Sequence, residues 1–259
     1  MTAAYALSDT SVMITRCMRR SLRDPEAFFT ALMLPIILML LFVYIFGGDL
    51  NTGGKYVNYV VPGLIVLCAA FGAGTTAVVV ATDMSSGIVD RFRSMPIHAS
   101  SVLAGHIVAS LARNLLATAL VIGVGLGVGW RPTASPLRWL AAAAMIVAFI
   151  LAMSWLAAAF GLLVRSPEAA TGATFVLMFI PYLSTAFVPS RTLPSVLRPI
   201  AANQPFTPVI ETMRGLWMGR TSTGASVGHE ALLGGVYCAV ILVVAFVCAS
   251  RLYTRRTAA

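Results

Sequence analysis

The stretch "YVVPGLIVLCAAFGAGTTAVVVA" runs from Tyr59 to Ala81 without a single charged residue. A helix needs about 20 apolar residues to cross the hydrocarbon core of a bilayer, and this stretch is long enough. Its apolar residues form a continuous run and do not alternate with polar ones, as they would in a membrane β-strand. The stretch therefore predicts a transmembrane helix.

Five further runs have the same character, which predicts an all-α integral membrane protein with six transmembrane helices. The predicted spans are Ala27–Phe46, Tyr59–Ala81, Val108–Trp130, Trp139–Val164, Ala170–Phe187 and Ala231–Leu252. Residues 27–259 would form this six-helix domain, and residues 1–26 a cytoplasmic segment before it. The polar, basic character of that segment is not typical of a signal peptide.

Composition supports lipid as the main solvent of the chain. Of its 259 residues, 59% are hydrophobic and 10% are charged, whereas soluble domains carry about a quarter charged residues. The net charge is +9. In a soluble protein that excess would suggest nucleic acid, but arginines between apolar runs fit anionic headgroups better. We expect membrane lipid as a partner, and no nucleic acid.

The positions of the basic residues predict the orientation in the membrane. Six spans place both termini on one side, and positive charge in short loops favours the cytoplasm. The side of the termini carries Arg16, Arg19, Arg20, Arg23, Arg91, Arg93, Arg165, Arg251, Arg255 and Arg256, against Lys55, Arg131 and Arg138 opposite. Both termini are therefore expected in the cytoplasm.

The N-terminal segment has the pattern of an amphipathic helix lying in the inner membrane interface. Four arginines share one helical face, and Ile14, Cys17, Met18 and Leu22 occupy the opposite one. The arginines, expected to face the headgroups, are Arg16, Arg19, Arg20 and Arg23. The alternative is an ordinary positively charged anchor.

A short polar island, "SSGIVDRFRSMPI" from Ser85 to Ile97, separates the second and third spans. Met84, Ile88, Phe92 and Met95 make one apolar stripe at helical spacing, and Pro96 ends the element. A short helix over residues 84–96 is predicted on the cytoplasmic side. Its stripe can lie on the membrane, or in a groove of another protein.

Two other polar features fall near or between the spans. The loop over residues 188–230 contains short helices, one of them with Thr207 as N-cap, Pro208 at its first position and Gly219 as its stop. That helix is expected on or in the outer interface. Arg113 lies near the interior of the third span, where it is either functional or extends to the cytoplasmic interface.

Little in the sequence points to catalysis. A Walker A pattern is absent, so ATP hydrolysis would belong to another chain. The three histidines are isolated and predict no metal site. The cysteines form no CxxC pair and are expected to be buried apolar residues; they are Cys17, Cys68, Cys238 and Cys248.

Three stretches resemble the permease subunits of type 2 ABC exporters, in particular the daunorubicin-resistance drug exporters of actinobacteria. "GIVDRFRSMPIHASSVLAG" (87–105) is similar to the segment after the second helix of that family. "RSLRDPEAFFTALMLPIILMLLFVYIFGG" (20–48) is similar to the entry into its first helix. "NQPFTPVIETMRGLWMG" (203–219) is similar to its helix before the last span. The resemblance covers nearly the whole chain, in order.

The resemblance implies half of a permease in the bacterial cytoplasmic membrane. Two such subunits, identical or related, would form the pathway, and a separate ATP-binding subunit would hold ATP and Mg. The segment after the second helix would dock in a cleft of that subunit as a coupling helix, and the N-terminal helix would be a second contact. The implied coupling residues are Met84, Gly87, Ile88, Asp90, Arg91, Phe92, Arg93 and Pro96.

The sequence departs from the family pattern beside that segment. Asp83 is the only charged residue just before Gly87, and His106 stands where the family usually has a basic residue. These differences bear on which ATP-binding subunit is recognised.

The cargo is expected to be hydrophobic or amphipathic, because the spans carry so few charges. A lipid or lipid-linked glycan is the alternative cargo. A gradient-driven transporter is the alternative class, against which the scarcity of ionisable groups in the spans counts. The candidate pathway residues are Phe71, Thr75, Thr76, Tyr182, Ser184 and Thr185.

Overall fold

The computed structural model describes residues 3–23, 25–45, 55–86, 99–189 and 192–258, and they are predominantly helical. The helices are α1 (Ala3–Leu22), α2 (Pro25–Ile45), α3 (Tyr56–Ser85), α4 (Ala99–Gly127), α5 (Pro136–Leu163), α6 (Pro167–Met178), a 3₁₀ helix (Ile180–Leu183), α7 (Leu197–Asn203), α8 (Phe206–Met218) and α9 (Val227–Ala258).

Within these residues, α3, α4, α5 and α9 are long and apolar enough to cross a membrane. The described part of α2 includes a shorter apolar helix, Leu32–Ile45. The predicted all-helical membrane fold is thus confirmed, while the number of spans stays a prediction.

Helix α3 lies at the centre of the bundle and packs against α2, α4, α5, α6 and α8. Small residues permit this close packing. A Cβ added at Gly161 of α5 would strike the carbonyl oxygen of Ala77 on α3. At Gly63 of α3 an added Cβ would lie 2.7 Å from the Cα of Ala186. Both contacts require glycine because the neighbour is backbone, which cannot swing aside.

The two ends of the bundle differ in chemistry. Trp130 at the end of α4, Trp139 at the start of α5 and Trp217 at the end of α8 cluster with ring centroids 5.2–6.1 Å apart. We call this the tryptophan end; tryptophan is enriched where a membrane protein meets the headgroups. The opposite, N-terminal end holds α1 together with the last turns of α3, α5 and α9.

The fifth predicted span, Ala170–Phe187, differs from the prediction in its continuity. Helix α6 ends at Met178, a 3₁₀ helix follows, and Ser184 caps it with extended backbone. Pro181 explains the break, because a proline lacks the N–H that an α-helix needs and its ring clashes with the preceding turn.

Helix α8 also differs in detail from the prediction. Its N-cap is Pro205 rather than Thr207, whose hydroxyl donates to the carbonyl of Ala201 at 2.6 Å. Gly219 ends the helix in the left-handed conformation, as predicted, with φ of 75°. Most of α8 is buried within the bundle, including Ile210 and Met213.

Candidate functional site

A buried charge cluster joins three helices at the N-terminal end. Asp83, in the last turn of α3, is 3% exposed. Its Oδ2 lies 3.3 Å from Nη1 of Arg16 and 3.3 Å from Nε2 of His106 on α4. Its Oδ1 pairs with Arg20. Both carboxylate oxygens therefore have basic partners from outside α3.

Helix α1 packs along the first turns of α4 beside this cluster. The backbone of Met13 closely approaches Gly105, where an added Cβ would lie 3.0 Å from a main-chain atom. The Thr10 hydroxyl donates to the Ser101 hydroxyl at 3.0 Å. The Cys17 thiol contacts Nδ1 of His106 at 3.9 Å. The apolar side of α1 thus faces protein.

The four predicted interfacial arginines differ in their contacts; three lie on α1, and Arg23 directly follows its last residue, Leu22. Arg19 and Arg23 are exposed, and their orientation toward headgroups stays a prediction. Arg16 and Arg20 instead contact Asp83, with 28% and 43% of their side chains exposed. Helical spacing placed all four on one face, but it could not reveal a carboxylate on a distant helix.

The predicted coupling residues fall mostly outside the described part of the chain. Met84 is described; it is half-buried and packs against an apolar cluster that includes Leu103 and Tyr253. The others remain predictions: Gly87, Ile88, Asp90, Arg91, Phe92, Arg93 and Pro96 lie outside the described residues. Asp83 is four positions before the first of them.

Thr76 belongs to a polar group buried in the middle of the bundle. Its hydroxyl donates to Ser110 at 2.8 Å, and Ser110 lies 2.9 Å from the Ser154 hydroxyl. The Asn114 amide donates to the Ser110 carbonyl at 2.9 Å. These hydrogen bonds link α3, α4 and α5, so Thr76 faces a helix junction.

Thr75 makes a different contact, to Arg113. Nη2 of Arg113 donates to the Thr75 hydroxyl at 2.7 Å, and Nη1 donates to Ser21 of α1 at 3.4 Å. The guanidinium therefore reaches from the middle of α4 toward the N-terminal end, the direction expected for a side chain that extends toward an interface.

Of the six pathway candidates, the structure brings Phe71 and Tyr182 together. Their ring centroids are 6.5 Å apart, and Tyr182 also stacks on Phe187 at 5.4 Å. Phe71 borders a small apolar cavity of about 30 Å³ between α3, α5, α6 and α8. The cavity is lined by Ala70, Phe71, Gly74, Ala77, Met153, Leu156, Ala157, Phe160, Thr174 and Phe206.

Ser184 and Thr185 lie toward the start of α3, beside a buried ion pair that the sequence did not predict. Glu211 and Arg214 of α8 pair with each other, and Glu211 is 0% exposed. The Thr185 hydroxyl donates to Glu211 at 2.8 Å, and the Ser222 N–H donates to its other oxygen at 2.6 Å. The sequence signal that could have predicted this ion pair is the i,i+3 spacing of Glu211 and Arg214.

Arg214, Tyr56 and Tyr59 donate hydrogen bonds to backbone carbonyls of the interrupted fifth predicted span, Ala170–Phe187. Nη2 of Arg214 donates to the carbonyls of Tyr59 and Thr185, each at 3.0 Å. The Tyr59 hydroxyl donates to the Thr185 carbonyl at 2.8 Å, and the Tyr56 hydroxyl to the Phe187 carbonyl at 3.0 Å. The guanidinium also lies 3.8 Å above the Tyr59 ring. These donors replace the helical hydrogen bonds lost at the break.

The arrangement is suited to holding helices together rather than to bond chemistry. In the part of the chain that the structure describes, no group of three acidic, histidine or cysteine side chains could hold a metal ion. The four cysteines are free thiols; Cys17, Cys68 and Cys238 are buried as predicted, whereas Cys248 is exposed, so the prediction was wrong for it. Asp83 and Glu211 each have charged partners, as buried carboxylates require.

Long apolar helices joined by internally paired polar groups define a polytopic membrane protein. Residues 8–218 match the ABC-2 type transporter family, and the chain belongs to this family of membrane permeases. The resemblance seen in the three sequence stretches is thereby confirmed.

Two relatives extend this comparison. The chain is 27% identical over 218 residues to the daunorubicin resistance ABC transporter permease protein DrrB1 of Streptomyces coeruleorubidus, covering 83% of this chain and 77% of that protein. It is 26% identical over 251 residues to the probable doxorubicin resistance ABC transporter permease protein DrrC of Mycobacterium tuberculosis, covering 94% and 90%.

Proposed function

We propose that this chain is the permease subunit of an ATP-driven exporter that moves a hydrophobic or amphipathic, drug-like molecule out of a bacterial cell. Membership of the ABC-2 type transporter family carries the proposal. The names of the two relatives support drug-like cargo. ATP and Mg would bind a separate ATP-binding subunit, and a second permease subunit would complete the pathway.

The cytoplasmic face would be the N-terminal end of the bundle. The distribution of arginines supports this orientation. The ATP-binding subunit would then dock on residues 84–96 and on α1. ATP-driven closure of that subunit would move the coupling segment.

The apolar lining of the small cavity beside Phe71 supports a path for amphipathic cargo, although the cavity itself, at about 30 Å³, is smaller than such a molecule. Its lining is almost entirely hydrocarbon, and Tyr182 stands next to Phe71. Ligand sites for such molecules are mostly apolar, with a few polar groups that fix orientation. Thr174 is the polar residue of this lining, and its hydroxyl donates to the Gly74 carbonyl at 3.5 Å.

The test is ATP-dependent uptake of doxorubicin into inverted membrane vesicles that contain this chain and the ATP-binding protein encoded nearest to its gene. We expect uptake that requires ATP and persists when an uncoupler dissipates the proton gradient. Uptake without an ATPase partner would refute the proposal in favour of a gradient-driven transporter. If ATP hydrolysis responds to a lipid or lipid-linked glycan and not to doxorubicin, the cargo assignment is wrong.

The predicted coupling contact is tested with Phe92→Ala and Asp90→Lys. Each change should reduce uptake and recovery of the ATP-binding subunit by affinity pull-down. Phe92→Ala removes part of the apolar stripe, and Asp90→Lys reverses a charge beside it. Membrane insertion should be normal in both. Normal uptake and normal pull-down in both variants would exclude docking at this segment.

A further inference from the structure

The Asp83 cluster occupies a position that matters if the proposed function is right. Asp83 lies in the last turn of α3, directly before the proposed coupling segment, residues 84–96. Any displacement of that segment therefore acts first on the last turn of α3. The helices that contact this last turn determine which parts of the protein move with it.

The Asp83 carboxylate has ion-pair partners on two other helices, α1 and α4. Arg16 and Arg20 are one helical turn apart on α1 and contact different oxygens of Asp83. His106 approaches from α4. Because Asp83 is nearly inaccessible to water, losing these partners would leave a buried charge uncompensated, which is strongly unfavourable.

Helix α1 is also fastened to α4 directly. The backbone contact between Met13 and Gly105 and the hydrogen bond between Thr10 and Ser101 fix the position of α1 along the first turns of α4. The end of α3, the start of α4 and residues 10–20 of α1 are thus joined by side-chain and backbone contacts, although they are far apart in sequence.

We propose that Asp83, Arg16 and Arg20 form a mechanical link that makes α1, the end of α3 and the start of α4 move as one unit with the coupling segment. The inference rests on the proposed function and deepens it. Arg16 and Arg20 are positioning residues here. The competing possibility is that α1 only anchors the chain to the membrane.

The chain offers a matched pair of variants. R16Q with R20Q removes two positive charges from α1 and both of its contacts to Asp83. R19Q with R23Q removes two charges from exposed positions, one on α1 and one directly after it, and within the described residues neither arginine is an ion-pair partner of Asp83. Reconstituted with the ATP-binding subunit, both would be measured for ATP hydrolysis and for drug transported per ATP.

We expect R16Q/R20Q to assemble and hydrolyse ATP while its transport per ATP falls about tenfold, within the range usual for coupled sites. R19Q/R23Q should retain the wild-type ratio, because its loss of charge affects membrane attachment alone. Equal ratios in the two variants would overturn the link. If R16Q/R20Q does not fold, D83N, which removes the charge and keeps the volume, is the second variant with the same expectation.

A disulfide tests the rigid unit by a different route. With the native cysteines replaced, Thr10→Cys and Ser101→Cys put two thiols where hydroxyl oxygens lie 3.0 Å apart. If α1 and α4 move together, the oxidised protein transports as well as the reduced one. Transport that stops on oxidation and returns on reduction would show that α1 slides along α4, and would overturn the proposal. Absence of ATP-dependent transport in the wild type would instead refute the proposed function.

Discussion

Replacing Glu211 with leucine should destabilise the bundle more than most single changes. Leucine is close to glutamate in size, so the change mainly removes charge and acceptor oxygens. It leaves Arg214, which is 3% exposed, without its carboxylate. It also leaves the Thr185 hydroxyl and the Ser222 N–H without their acceptor.

The expected magnitude follows from this loss. Removing one member of a buried ion pair costs about 3–5 kcal/mol, because the remaining charge stays buried. Arg214 retains the carbonyls of Tyr59 and Thr185, which favours the lower part of that range. Glu211→Gln keeps the shape and some hydrogen bonds, so we expect a loss of about 1–3 kcal/mol.

A double variant separates charge from packing. Glu211→Leu with Arg214→Met removes both charges, and such replacements are often neutral in cores. Here the Thr185 carbonyl would keep only the Tyr59 hydroxyl as donor. The double variant should therefore recover most, but not all, of the stability lost in Glu211→Leu.

The free energy of unfolding is measured in mixed micelles. Circular dichroism monitors the loss of helix as the fraction of denaturing detergent rises. Glu168→Gln, at an exposed carboxylate in the first turn of α6, is the control; it removes a charge that favours the helix start and should shift the midpoint far less than Glu211→Leu. The reasoning fails if Glu211→Leu unfolds at the wild-type midpoint, or if the double variant is less stable than Glu211→Leu alone.

Two further predictions concern helix contacts and use the same measurement. Gly63→Ala should cost about 1–3 kcal/mol because its Cβ meets the backbone of Ala186, whereas Gly123→Ala, with nothing within 4 Å of its Cβ, should stabilise α4 by up to about 1 kcal/mol; equal effects would contradict the close approach. Thr76→Val should cost about 1–3 kcal/mol because Ser110 loses one of its buried hydrogen-bond donors. Thr76→Ser should restore most of that loss, and a serine variant no better than valine would argue against the hydrogen bond.

The long helices could be predicted because lipid constrains their sequence so strongly. The charge-free run from Tyr59 to Ala81 lies inside the observed helix Tyr56–Ser85, which extends only to polar flanks. Helix α4 begins at Ala99, well before the apolar run predicted from Val108. A helix continues past the hydrocarbon wherever its polar turns find protein partners, and hydropathy does not register those turns.

The polar contacts could not be predicted in the same way. Arg16 and Asp83 are 67 residues apart, and only tertiary packing brings them together. A cationic face on an amphipathic helix fits headgroups and a buried carboxylate equally well. The sequence thus indicated the chemistry of α1 but left open that Arg16 and Arg20 have a carboxylate partner.

The helix break after Met178 explains why the polar contacts that the sequence did not predict depend on one another. A segment that leaves the helix inside a membrane protein exposes carbonyls that water cannot reach, and each must find a donor. The carbonyls of Thr185 and Phe187 receive theirs from Arg214, Tyr59 and Tyr56. Arg214 can be buried there only because Glu211 neutralises it, and Glu211 in turn holds the Thr185 hydroxyl. A change in any of these groups should therefore loosen the break as a whole, so their effects on stability should not add.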